Sequence, residues 1–68
     1  MYVILVYDIS VERIDKARQY LKQYLNWVQN SAFEGELKEG EIEKIRLGLK
    51  NIINEEADSV IIYKTRDR

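Results

Sequence analysis

Apolar side chains fill every position from Tyr2 to Tyr7 (YVILVY), and Asp8, the first charge, closes the run. An unbroken β-branched and aromatic stretch predicts a strand buried on both faces, hence central in its sheet. From Ser10 the period changes. Ile14, Ala17, Leu21, Tyr24 and Leu25 recur at helical spacing, which predicts a helix to about Leu25 with one buried stripe. Ser10 stands where a hydroxyl caps a helix by accepting a backbone N–H. Glu12 and Lys16 stand four apart, in the favourable order for an exposed pair. Trp27 to Leu37 (WVQNSAFEGEL) is aromatic and β-prone without helical period. It predicts either a tight hairpin turning near Asn30-Ser31 or one bent strand with a bulge. Ile42, Ile45, Leu49, Ile52 and Ile53 then mark a second amphipathic helix from Glu39 to about Glu55, with Glu39, Glu41 and Glu43 suited to its positive N-terminal end. Gly48 inside it costs about 1 kcal/mol relative to Ala, so close packing is the expected reason for it. Ser59 to Tyr63 (SVIIY) predicts the last strand, and Lys64 to Arg68 a charged tail.

The order strand, helix, strand or hairpin, helix, strand is a βαββαβ pattern. It predicts an α+β, ferredoxin-like sandwich with two helices on one face of an antiparallel sheet. Two helices cover one face only. In the first strand Tyr2, Ile4 and Val6 point one way and Val3, Leu5 and Tyr7 the other; in the last, Val60 and Ile62 oppose Ile61 and Tyr63. Both faces are apolar, and the second has nothing left in the chain to cover it. Such a patch marks a partner surface. A two-fold homodimer, sheet against sheet, is the simplest closure; the alternative is a domain cut from a longer chain whose missing part covers the sheet.

Composition narrows the chemistry. Sixty-eight residues make one domain, 1–68, with a small core. There is no Cys, so no disulfide, thiolate metal site or cysteine nucleophile; no His, so neither the commonest general base nor the commonest transition-metal ligand; and no Pro. A net charge of -1 gives no global pull toward nucleic acid, so any such contact needs a local basic patch. No apolar run is long enough to span a membrane, and the chain is read as cytoplasmic.

Asp8 is the leading candidate for a chemical centre, because ligands and catalytic groups in layered α/β folds gather beyond strand C-termini. The plainer reading is a helix cap or a salt bridge. In a dimer with Asp8 near the two-fold axis, two carboxylates converge and hold one shared Mg²⁺ while waters fill its other positions. A bound divalent ion lowers the pKa of a water and neutralises a phosphodiester in its transition state, which supplies hydrolysis without His. Tyr7 packs in the sheet or turns its hydroxyl to a ligand. Ser31 is a turn hydroxyl and Phe33 a core ring on the plain reading; Trp27 is core or a base-stacking platform. Arg13, Lys16, Arg18 and Lys22 give the first helix a basic side, interrupted by Glu12 and Asp15. It is either a solvated face or a phosphate-tracking surface. No Gly-rich phosphate loop, zinc spacing or catalytic triad occurs.

The stretch YVILVYDIS (Tyr2 to Ser10) resembles the strand-plus-aspartate opening of the CRISPR-associated protein 2 family. Gln29, Ser31, Phe33 and Gly35 resemble its Q-x-S-x-F-x-G segment, and SVIIYK (Ser59 to Lys64) is similar to its later strand. The resemblance covers nearly the whole chain in the same element order. It implies a ferredoxin-like homodimer and a metal-dependent endonuclease acting on RNA or DNA. It further implies a part in CRISPR spacer acquisition and antiviral defence beside the integrase, CRISPR-associated protein 1. The family's metal aspartate falls on Asp8, and Tyr7, Ser31 and Phe33 match positions near its proposed catalytic site. The family's chain usually continues into a further strand that pairs with the partner subunit. This one stops at Arg68, which reads as a C-terminally shortened chain or as a dimer with fewer contacts. Two other readings stand beside the nuclease. One is a non-catalytic dimeric DNA-binding adaptor for the integrase, with Arg13, Lys16 and Arg18 on the phosphates. The other is a toxin-type ribonuclease or small-ligand regulatory domain of the same fold.

Overall fold

In the computed structural model, which describes residues 1–66, the apolar run at the N-terminus forms β1 (Tyr2–Asp8) between two antiparallel neighbours. It is followed by α1 (Val11–Leu21), β2 (Asn26–Gln29), β3 (Ala32–Glu36), α2 (Glu39–Lys50) and β4 (Ser59–Thr65). The sheet order is β2-β3-β1-β4, the expected α+β sandwich. Leu5 pairs with Phe33 on one side and Ile62 on the other; Asp8, at the end, pairs with Ser59. The charged tail extends past the described residues.

Being central does not bury β1 on both faces. Val3, Leu5 and Tyr7 are buried under the helices, whereas Ile4 and Val6 are each 37% exposed. Both helices pack on the Val3–Leu5–Tyr7 side, leaving the other side open. The core joins these strand residues to Phe33 of β3, Ala17 and Leu21 of α1, and Ile42, Ile45 and Leu49 of α2. Leu5 and Phe33 are completely enclosed, and burial of each such side chain contributes about 1.5–3 kcal/mol.

Both helices end earlier than their apolar stripes. After Leu21 the chain tightens into i→i+3 turns, with Gln23 N–H donating to Tyr20 O and Tyr24 N–H to Leu21 O. This tightening still drops Leu25 into the core before Asn26 enters the sheet. Likewise α2 stops at Lys50, and Ile52 and Ile53 are half-buried in the following turn. Asn54 organises residues 54–58. Its side-chain oxygen accepts from the N–H of Glu56 and Ala57, and its carbonyl from the N–H of Asp58. Stripe residues therefore reach the core from turns as well as from helix, which is why periodicity overran both ends. β4 runs two residues beyond Tyr63, to Thr65, because β1 offers partners back to Tyr2.

The middle segment is a hairpin and also holds a bulge. Asn30 and Ser31 make the turn, and Val28 is the extra residue between the pairs Trp27–Phe33 and Gln29–Ala32. Gly48 has the expected reason. A Cβ there would lie 2.1 Å from the hydroxyl of Tyr20, which reaches across from α1 to donate to Lys44 O at 3.1 Å. Burial raises the pKa of that phenol.

Candidate functional site

Asp8 ends β1 on the open face, in line with Ile4 and Val6. It is exposed, and among the described residues its carboxylate takes part in no hydrogen bond or ion pair. The strand alternation that buries Tyr7 forces Asp8 outward. The helix-cap and salt-bridge reading therefore does not describe this acid.

The salt-bridge role belongs to Asp58, the residue just before β4, which reading the sequence missed. Its side chain is fully buried beside a bidentate guanidinium: Arg13 Nε donates to Oδ2 at 2.7 Å and Nη2 to Oδ1 at 3.1 Å. Ser10 adds its N–H at 2.9 Å and its hydroxyl at 3.0 Å, and Asn54 its N–H at 2.9 Å. The Arg13 hydrogen bonds, with those of Asn54 and Ser10, outweigh burial and hold the Asp58 carboxyl far below the usual range. Arg13 is raised in turn, first by its hydrogen bond to Asp58. Ser10 does precede α1, but its hydroxyl donates to Asp58 and makes no cap to the helix. Glu12 lies 3.6 Å from Arg13 and forms no ion pair with Lys16. The one available signal was position: Asp58 abuts the last strand as Asp8 abuts the first.

Tyr7 faces away from Asp8, into the helix layer. Its hydroxyl donates to Asn30 O at 2.7 Å and accepts from Arg18 Nε at 3.0 Å. Arg18 Nη2 also reaches Asn30 O, at 3.0 Å. Ser31 comes to the same end of the sheet through its carbonyl, which accepts the Tyr7 N–H at 3.0 Å; the residue itself is exposed. Phe33 is 0% exposed, 5.8 Å between centroids from Tyr7 and 6.3 Å from Trp27. The Phe33 ring therefore meets no solvent and lies on the side of the sheet opposite Asp8. Tyr7 and Phe33 are packed together behind the strand end, Ser31 is tied to it through its backbone alone, and Asp8 stands in front.

The basic side of α1 divides. Arg13 is committed to Asp58. Lys16 is exposed. Arg18 sits over Trp27, its Cζ 4.7 Å from the ring centroid, with Lys22 Nζ at 4.8 Å. Trp27 is 44% exposed and carries these cations on its ring.

No described helix is long and apolar enough to cross a membrane. Residues 1–68 match the model of the family described as CRISPR associated protein Cas2. The chain is 58% identical over 66 residues to the CRISPR-associated endoribonuclease Cas2 of Pyrococcus furiosus, covering 97% of this chain and 78% of that one. It is 54% identical over 68 residues to the protein of the same name from Methanosarcina acetivorans, covering 100% and 78%. A crystal structure of Cas2 superposes with a TM-score of 0.86 at 51% identity, over 93% of this chain and 71% of that one. That of Streptococcus pyogenes Cas2 superposes with 0.87 at 31% identity, over 96% and 86%. With matching sequence along its full length and the same strand and helix order, this chain belongs to the CRISPR-associated Cas2 family.

Proposed function

We propose that this chain is a CRISPR-associated endoribonuclease working as a two-fold homodimer, with Asp8 of each copy at the scissile phosphodiester. One observation carries the reading: an exposed carboxylate, unpartnered among the described residues, ends the central strand on an open apolar face. The names of the relatives support RNA as substrate; DNA presents the same phosphodiester to the same group. Ile4, Val6, Ile61 and Tyr63, 37–55% exposed on that face, support a second copy as its cover.

The donor chemistry fits Mg²⁺ only when doubled. Among the described residues no three acidic, His or Cys side chains gather, so one chain offers Asp8 alone. Two copies would supply two hard carboxylate oxygens, in keeping with an ion that retains most of its water. A bound Mg²⁺ would neutralise phosphate charge and acidify a water. Asp8 would hold the ion and orient the phosphate. Behind it, Tyr7 and Ser31 fix the strand end and Phe33 fills the space beneath. In the cytoplasm such a dimer would serve spacer acquisition and antiviral defence beside the integrase, CRISPR-associated protein 1.

The adaptor reading draws on a different observation, the cations Arg18 and Lys22 on Trp27, which among the described residues lack carboxylate partners. Wild type and Asp8→Asn, compared for cleavage of labelled RNA and DNA with and without Mg²⁺ and for sedimentation, separate the two. The nuclease reading expects Asp8→Asn to remain dimeric and to lose cleavage by at least about 10²-fold. Metal-stimulated cleavage surviving in Asp8→Asn would reject it. Salt-dependent duplex binding with no cleavage by either protein would favour the adaptor.

A further inference from the structure

The face that carries Asp8 is not where unbalanced positive charge collects. On the helix side, Arg18 of α1 and Lys22, just past the helix end, both lie over the ring of Trp27, at 4.7 and 4.8 Å. Arg18 is held there by its hydrogen bonds to the Tyr7 hydroxyl and to Asn30 O, each 3.0 Å. Arg13, Arg46 and Lys64 each meet a carboxylate within 4 Å. Arg18 and Lys22 meet none among the described residues, and neither do Lys16, Lys38, Lys44 and Lys50; what sets the first two apart is the indole they share. Two like charges on one indole repel, and an anion bridging them relieves that repulsion. Arg18 spends two of its five donors on this chain, so its outer N–H groups and the Lys22 ammonium are open to a ligand.

The surroundings say what kind of anion fits. β2 is an edge strand exposed along its length. A shallow hollow of about 220 Å³, lined by Trp27, Val28, Gln29 and Asn30, runs along it. None of these four is charged, and an open hollow of this kind encloses no base. The Trp27 ring is already taken by cations, so it offers no stacking platform. What remains is a pair of cations on Trp27, a residue that also lines the open hollow, and point charges of this kind suit phosphates read without regard to sequence.

We propose that Arg18 and Lys22, carried on Trp27, form a phosphate site for the backbone of a single nucleic-acid strand, on the opposite side of the sheet from Asp8. The Asn30-Ser31 turn lies at the same end of the sheet as Asp8, because Ser31 accepts the N–H of Tyr7, the residue next to it. A strand seated along β2 therefore rounds that end to reach Asp8. This routing rests on the nuclease reading of Asp8; the site itself does not.

The test is binding of a labelled single-stranded RNA across a salt series, with EDTA present so that no cleavage intervenes. Lys22→Gln leaves the Arg18 contacts intact and should lower the slope of log Kd against log salt by about 0.7; Arg18→Gln with Lys22→Gln should lower it by about 1.4. Lys50→Gln, an equal charge loss on α2, should leave the slope unchanged. Unaltered slopes in the first two variants, an equal drop in Lys50→Gln, or no RNA binding at all would overturn the proposal. Asp8→Asn is assayed alongside for cleavage: if it cleaves as wild type does when Mg²⁺ is restored, the nuclease reading fails while the phosphate site stands.

Discussion

Arg13 grips Asp58 with two parallel hydrogen bonds, Nε to Oδ2 and Nη2 to Oδ1, and thereby ties the start of α1 to the start of β4. The carboxylate is also the acceptor for Ser10 and Asn54. Because the folded pKa of Asp58 lies below its unfolded value of 3.8, its stabilisation is complete above that value and is lost as pH falls below it. Thermal melts of wild type should therefore drop in Tm as pH is lowered through about 4. Asp58→Asn should melt lower at neutral pH and show a flatter acid limb. An equally steep acid limb in that variant would show that other carboxylates control acid unfolding.

Tyr20 and Gly48 should couple with a change of sign. Gly48→Ala adds a methyl group where the Tyr20 hydroxyl already sits and should destabilise the wild-type chain. In a Tyr20→Ala background the same change meets no ring. It should then stabilise by about 1 kcal/mol, the helix advantage of Ala over Gly. Urea unfolding of the four proteins of the cycle measures the difference.

Phe33 has no solvent-facing surface, so the part expected of it in the proposed cleavage is mechanical support. Phe33→Ala should cost about 3–5 kcal/mol in urea unfolding, a large part of the stability of a chain this small. Phe33→Leu should keep both fold and cleavage. A folded Phe33→Leu protein without activity would give the ring a role that its burial does not suggest.

The open face should govern association. Ile4→Lys with Ile61→Lys puts charges on a surface that the monomer already exposes, so far-UV circular dichroism should stay unchanged. Sedimentation should shift from dimer to monomer, and cleavage should fall with it. A dimer of undiminished stability in this variant would place the subunit contact elsewhere.

Much of this was legible in the residues. The strand and helix order, the central place of the YVILVY run and the close packing at Gly48 follow from periodicity and residue type. Three things were not. Where α1 and α2 stop depends on turns that still feed Leu25, Ile52 and Ile53 inward, and a hydrophobic stripe is blind to that change. The bulge at Val28 and the hairpin around Asn30 were read as alternatives, although one segment holds both. Asp58 was invisible because burial of a carboxylate depends on a guanidinium 45 positions away, and local pattern does not carry pairings of that range. The same limit hid the division of the basic helix face, where Arg13 turns inward to an acid and Arg18 lies on an indole.

An uninterrupted apolar strand carries little information about its own alignment. Slid by one position, β1 would send Ile4 and Val6 inward in place of Val3 and Leu5 and lose almost nothing in hydrophobicity. The same slip would drive Asp8 under the helices, where an unpaired carboxylate is intolerable. The acid proposed to meet substrate thus also serves as a ratchet tooth, admitting one pairing of the central strand with its neighbours and rejecting the next.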